Sequence, residues 1–189
     1  MQAQEPPGGV DAGSPFSGIR LHVVLVEPEI AANVGAIGRT CVATAAMLWL
    51  VRPLGFHISN RHLRRAGLDY WENLSWRAVD QLDEVVAALG RERAWSFSAH
   101  AQTVYTRAAF RPGDVLVFGS ERRGLPARWL AERPERSLRI PIRPEARCLN
   151  LANAVAVALF EATRQIEASG LAESADWVPP SGADASGLC

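Results

Sequence analysis

Apolar residues along this chain fall into short, nearly continuous runs separated by amphipathic stretches. LHVVLV (21–26), LWLV (48–51), AWSFS (94–98), DVLVFG (114–119) and LRIPI (138–142) read as short buried strands. NVGAIGRTCVATAA (33–46) has helical spacing, and VDQLDEVVAALG (79–90) is an amphipathic helix stopped by Gly90. PARWLAE (126–132) is a short helix with proline in its first turn, and SNRHLRRAG (59–67) a short polar helix or turn. The last helix, about 148–166, is apolar almost without break from Leu149 to Phe160. Alternating strands and helices predict an α/β fold: a mainly parallel sheet flanked by helices.

Composition bounds this picture. Residues 1–18 and 167–189 are rich in Gly, Pro, Ser and Ala and read as disordered tails around one domain, 19–166. With 48% hydrophobic and 21% charged residues, the domain has the make-up of a soluble globular protein. No run approaches the ~18 apolar residues of a membrane span, and the N-terminus lacks the features of a signal peptide. Cys41, Cys148 and Cys189 are scattered, without CxxC spacing, which argues against a disulfide framework or a metal site and for the cytoplasm.

All 20 basic residues are arginine, and the body carries a net +6 between acidic tails of −2 and −4. That suits a phosphate-rich partner, although charge alone fits an arginine-rich solvated surface better.

In parallel sheets, ligands sit beyond the carboxyl ends of strands, so the segments after each strand carry the candidate chemistry. After the first strand, Asn33 is placed to cap the following helix, and Gly35 and Gly38 allow a backbone or ligand to approach closely. Arg39 sits in the first turns, where a cation is unfavourable. It is either a clamp for a phosphate or hydroxyl, or an ion-pair partner of Glu27 or Glu29. After DVLVFG, Gly119 allows backbone contact with a ligand, Glu121 adds a carboxylate and Gly124 a tight turn. The loop lacks the GK[ST] of a P-loop, and no GxGxxG follows the first strand. Before the last helix, Asn150 fits an N-cap. Asn153, an amide in an apolar helix, must find partners or cost roughly 1–3 kcal/mol. A helix apolar nearly all round needs cover on several sides, which predicts a homodimer packed through about 149–162.

Three segments together resemble the SPOUT methyltransferases, the α/β-knotted family that uses S-adenosylmethionine. They are Asn33-x-Gly35-x-x-x-Arg39, Phe118-Gly119-x-Glu121-x-x-Gly124-Leu125, and Ile140-Pro141 followed by Leu149-Asn150-x-x-Asn153-Ala154. LRRAGLDYW (63–71) narrows the resemblance to the minimal subgroup that methylates the ribose 2′-hydroxyl of the tRNA wobble nucleotide, the TrmL (YibK) class. It covers about residues 20–166 and implies a trefoil knot in the C-terminal half and an obligate dimer.

It further implies that S-adenosylmethionine is held by Phe97, Ser98, Gly119, Ile140, Cys148 and Leu149, with Cys148 standing where the family commonly has serine. Arg39 and Glu121 are the implied catalytic pair, with Glu121 orienting Arg39 or a backbone amide. Arginine is a poor base, so orientation of the hydroxyl and its phosphate is the role expected of Arg39; the proton acceptor is left open. Asn33, Arg64, Arg65, Arg123, Asn150 and Asn153 are the implied contacts to a tRNA anticodon stem-loop, with Arg122 and Arg147 as further candidates. Tyr70 or Trp71 could stack on a base, although Trp71 fits core packing better. No metal is implied. Two other readings are a SPOUT enzyme acting on another tRNA or rRNA position, and a non-catalytic RNA-binding member. A nucleotide-binding enzyme of ordinary doubly wound fold would need a glycine fingerprint that the chain lacks.

Overall fold

A computed structural model describes residues 21–57 and 71–170. In chain order these form β1 (Leu21–Val26), α1 (Ala31–Ala43), β2 (Ala46–Val51), β3 (Trp76–Val79), α2 (Leu82–Leu89), β4 (Ala94–Phe97) and β5 (Thr103–Val104). They continue with β6 (Val115–Phe118), α3 (Ala127–Glu132), β7 (Ser137–Arg139) and α4 (Leu151–Ala168). The strands make one seven-stranded sheet in the order β3-β2-β1-β6-β4-β7-β5, every pair parallel.

Side chains alternate across a strand, so a strand buried on both faces must be apolar throughout. All six residues of β1 are buried. Leu21, Val23 and Leu25 enter one core with Val34 and Ile37 of α1 and Val155 and Leu159 of α4. Val24 and Val26 enter the other with Val85 and Val86 of α2 and, at its margin, Trp129 of α3. The domain thus has three layers, with α1 and α4 on one face of the sheet and α2 and α3 on the other. Cys41, in the first core, is buried completely, which pushes its thiol pKa up.

Several expectations change in detail. β3 and β5 escape the apolar pattern: β3 is a four-residue strand with a single buried side chain, and β5 has only two residues. α2 begins at Leu82, behind a capping box of Gln81 and Glu84, because Val79 belongs to β3. α4 starts at Leu151 and runs to Ala168, so Cys148 and Leu149 precede it.

Asn33 does not cap α1. The helix begins at Ala31 after Ile30, which has no side-chain cap, and Asn33 lies within the first turn with its amide turned elsewhere. Arg39 is the ninth of thirteen helical residues, beyond the reach of the N-terminal dipole that made it look unfavourable. Gly38 serves packing, since a Cβ there would stand 3.0 Å from Leu74 and 3.4 Å from the ring of Trp71. Trp71 itself packs against the core and lies 5.2 Å from the ring of Trp76. SNRHLRRAG, with Arg64 and Arg65, and Tyr70 lie outside the described residues. Among the described residues no helix is long and apolar enough to cross a membrane, and no group of three or more His, Cys, Asp or Glu could hold a metal ion.

Candidate active site

Because all strands run the same way, their carboxyl ends share one edge of the sheet. The segments after β1, β6, β4 and β7 emerge side by side there. Phe97 ends β4, Gly119 and Glu121 follow β6, and Ile140 follows β7. The rings of Phe97 and Phe118 stack at 4.6 Å, and the Ser98 N–H donates to Leu138 O at 2.9 Å.

Three side chains far apart in sequence close on one another at this edge. Asn150 Nδ2 donates to Asn33 Oδ1 at 2.9 Å. Asn33 Nδ2 donates to Glu121 Oε1 at 2.8 Å. The Glu121 carboxylate also accepts the backbone N–H of Glu29 at 2.8 Å and of Ile30 at 3.2 Å. Asn150 Oδ1 meanwhile caps α4, accepting from Ala152 N at 2.9 Å and Asn153 N at 3.4 Å. A single chain of hydrogen bonds therefore ties the start of α1 to the loop after β6 and to the start of α4.

This explains why α1 needs no cap of its own. An anion at a helix start is favourable, and Glu121 supplies it from another loop. Burial raises the Glu121 pKa, but the bonds from Asn33 and from the backbone amides of Glu29, Glu121 and Ile30 outweigh it. The carboxyl is held below its ordinary value. Glu121 is thus ionised at neutral pH, and it makes no bond to its loop neighbours Arg122 and Arg123, which pair with Glu29 and Glu27.

Gly119 has a cause in this chain's own backbone. A Cβ there would lie 1.9 Å from the carbonyl carbon of Gly124 and 2.2 Å from Leu125 N. The loop folds back on itself, with Gly124 in the left-handed region at φ 65° and its N–H donating to Ser120 O at 2.9 Å.

A family model, the SpoU rRNA Methylase family, matches residues 20–160. The chain belongs to the SpoU rRNA methylase family. It is 47% identical over 148 residues to a tRNA (cytidine(34)-2′-O)-methyltransferase of Burkholderia pseudomallei, which spans 76% of this chain and 94% of that protein. A solved structure giving insights into the 2-OH methylation of C/U34 on tRNA superposes with a TM-score of 0.73 at 46% identity, covering 79% of this chain and 97% of that one. A SpoU methyltransferase of Streptomyces viridochromogenes, AviRb, in complex with the cofactor AdoMet, shares the fold at TM-score 0.68 and 24% identity, over 77% of this chain and 57% of that one.

Within this SpoU methylase the expected site residues take distinct places. Asn33, Glu121 and Asn150 are joined directly. Phe97, Ser98, Gly119 and Ile140 lie at the ends of the adjacent strands β6, β4 and β7. Cys148 and Leu149 stand in the exposed connection to α4. Residues 143–149 are exposed, and among the described residues the one backbone–backbone bond within 141–149 is Ala146 N–H to Arg143 O at 3.0 Å, which closes a turn. Such a segment fits a ligand recognised through backbone amides and carbonyls.

Asn153 is exposed on α4, so its amide is not buried within the single chain. Arg39 is exposed on the face of α1 that also carries Ala32 and Ala36. Arg123 is held by Glu27 at 2.6 Å. The sequence reading missed Glu29 and Ile30 as the backbone donors to Glu121. The signal present was EPEI between strand and helix, with no Ser, Thr, Asp or Asn at the capping position.

Proposed function

We propose that the chain is an S-adenosylmethionine-dependent 2′-O-methyltransferase acting on the ribose of the wobble nucleotide, cytidine or uridine, in a tRNA anticodon loop. The observation that carries this reading is the hydrogen-bonded join of Asn33, Glu121 and Asn150. It assembles the three motif segments of a SpoU methylase at the carboxyl edge of the sheet. The choice of tRNA and of nucleotide 34 rests on relatives such as the Burkholderia protein, which is alike over nearly its whole length.

S-adenosylmethionine, when bound, supplies a methyl group on a sulfonium sulfur. The connection 140–150, with Ile140, Cys148 and Leu149, and the strand ends at Phe97, Ser98 and Gly119 would hold its adenosine through backbone groups and apolar contact. Methyl transfer to a hydroxyl needs that hydroxyl held in line with the methyl group. Arg39 would orient the hydroxyl and the adjacent phosphate, a task suited to a fork of donors. Glu121 is a positioning residue, since its oxygens are engaged by the start of α1, the helix that carries Arg39. Asn153, Arg64, Arg65 and Arg123 are the proposed contacts to the anticodon stem-loop, while Asn33 and Asn150, expected as contacts too, have their amides engaged with each other, with Glu121 and with the start of α4 and act by holding the loops together.

The enzyme would work as a homodimer. Val157 and Phe160 are 38% and 50% exposed on α4, and with Asn153 they form one stripe. Exposed leucine and isoleucine at 149 and 30 extend the apolar surface toward α1. Large apolar patches of this kind mark interfaces.

The test is methyl transfer to total tRNA with mass mapping of the product. Label at nucleotide 34 is expected; label elsewhere overturns the wobble assignment. Arg39→Ala should abolish transfer while S-adenosylhomocysteine still binds by calorimetry. Loss of that binding would make Arg39 structural.

A further inference from the structure

Beside the hydrogen-bonded chain lies a pocket of about 550 Å³, of which the function above uses only Arg123, as an RNA contact. Glu27 and Glu29 line it from the β1–α1 connection, Arg122 and Arg123 from the loop after β6, and residues 53–55 complete the wall. Two ion pairs join these sides. Arg123 Nη2 donates to Glu27 Oε2 at 2.6 Å, and Arg122 Nε donates to Glu29 Oε2.

The partners in each pair differ in freedom. The backbones that carry the acids are held. The Glu29 N–H is held by Glu121, and the backbone at Gly55 packs so closely that a Cβ there would lie 2.6 Å from Glu29 O. Glu27 holds φ at 51°, a left-handed conformation kept in place by its N–H bond to Val51 O at 2.9 Å. Their side chains are 35% and 18% exposed for Glu27 and Glu29. The arginine side chains are 84% exposed for Arg122 and 71% for Arg123. Exposed ion pairs contribute little to stability, so each arginine can leave its glutamate at small cost, while the glutamates are the less exposed partners on a held backbone.

We propose that Glu27 and Glu29 form an electrostatic latch for RNA. They hold Arg122 and Arg123 until the backbone phosphates of single-stranded RNA beside the target ribose take the arginines over and open the pocket to a neighbouring nucleotide. The proposal rests on the reading of the chain as an RNA 2′-O-methyltransferase. Its chemistry is an exchange of anions. A phosphate that wins an arginine leaves a carboxylate uncompensated nearby. Only an RNA that also fills the pocket recovers that loss, and phosphates of unrelated RNA meet the penalty without the compensation. The pocket lies within the size range that accommodates a small ligand.

The experiment compares wild type with Glu27→Gln/Glu29→Gln by fluorescence anisotropy. The probes are a synthetic anticodon stem-loop and a single-stranded RNA of equal length and unrelated sequence, across a salt series. The double variant should bind the unrelated RNA about tenfold tighter and the stem-loop about threefold tighter. Its log–log salt slope should steepen by about 1 to 1.5, since two arginines gain net charge toward single-stranded phosphates. In an Arg122→Ala/Arg123→Ala background the same glutamate changes should alter affinity by less than about twofold.

Unchanged affinity and slope, weaker binding, or an equal gain in the arginine-free background would each overturn the latch. The single variants, each expected to gain about threefold on the unrelated RNA, decide the matter if the double variant does not melt cooperatively. Wild-type transfer to total tRNA is measured alongside. Its absence overturns the function itself, whereas transfer with an unresponsive latch overturns the latch alone.

Discussion

Replacing Glu121 by alanine removes one carboxylate and leaves three donors without their acceptor: Glu29 N, Ile30 N and Asn33 Nδ2. A bond to a charged acceptor is worth roughly 1.5–3 kcal/mol when water cannot replace it. The Ile30 bond is exposed, so water substitutes there and little is lost. The Glu29 and Asn33 bonds are partly buried, and together they set the expected loss at about 3 kcal/mol. For a chain of this size that corresponds to a fall in Tm of roughly 6–12 °C.

The measurement is a thermal melt at fixed protomer concentration, since the stability of the proposed dimer would depend on it. A pH series adds a second arm. The Glu121 carboxyl is held below the ordinary 4.5, so its contribution is complete above about pH 4.5 and disappears as pH falls through the depressed value. The difference between wild type and Glu121→Ala should therefore shrink in acid. A variant that melts within about 1 °C of wild type at pH 7 would refute the view that this carboxylate holds the start of α1.

Further outcomes follow from single residues. Gly119→Ala drives a Cβ to 1.9 Å from the Gly124 backbone and should cost about 3 kcal/mol and abolish S-adenosylhomocysteine binding, measured by denaturant melts and calorimetry. His22 is buried, accepts the Trp49 Nε1–H at 3.2 Å, and has its pKa lowered by burial and by Arg93 from 6.5 to about 4. The unfolded chain therefore binds this proton first. About 3 kcal/mol should be lost as pH falls from 6.5 to 4, with much of that slope absent in His22→Gln. Phe160→Arg, on the exposed stripe of α4, should convert the proposed dimer to monomer by sedimentation, and a monomeric wild type would remove the interface.

How much of this was legible in the sequence depends on what each feature rests on. β1 matched residue for residue because a strand buried on both faces must be an unbroken apolar run. β3 and β5 did not, because a short strand at a sheet margin needs few buried side chains. Asn33 looked like a cap because local statistics attach an amide before a helix to that helix. Its true partner, Glu121, is 88 positions away. Asn150 did cap its helix and also reached Asn33, across 117 positions, which no local pattern contains. Asn153 misled because helical spacing shows which residues share a face and not whether that face is covered within one chain. The expectation of a trefoil knot came from resemblance alone, since periodicity carries no information on threading.

The bonds from Asn150 to Asn33 and from Asn33 to Glu121 bear on the order of events during synthesis. α1 is made early, yet its start lacks an anion until Glu121 is made and folded, and Asn33 lacks its second partner until Asn150 follows. β7, paired with β4, is likewise made late and leads into the connection to α4. A growing chain therefore carries most of its core well before it can offer a finished edge to a ligand. Ligand binding reports that the last helix has docked, which makes activity itself a measure of completed folding.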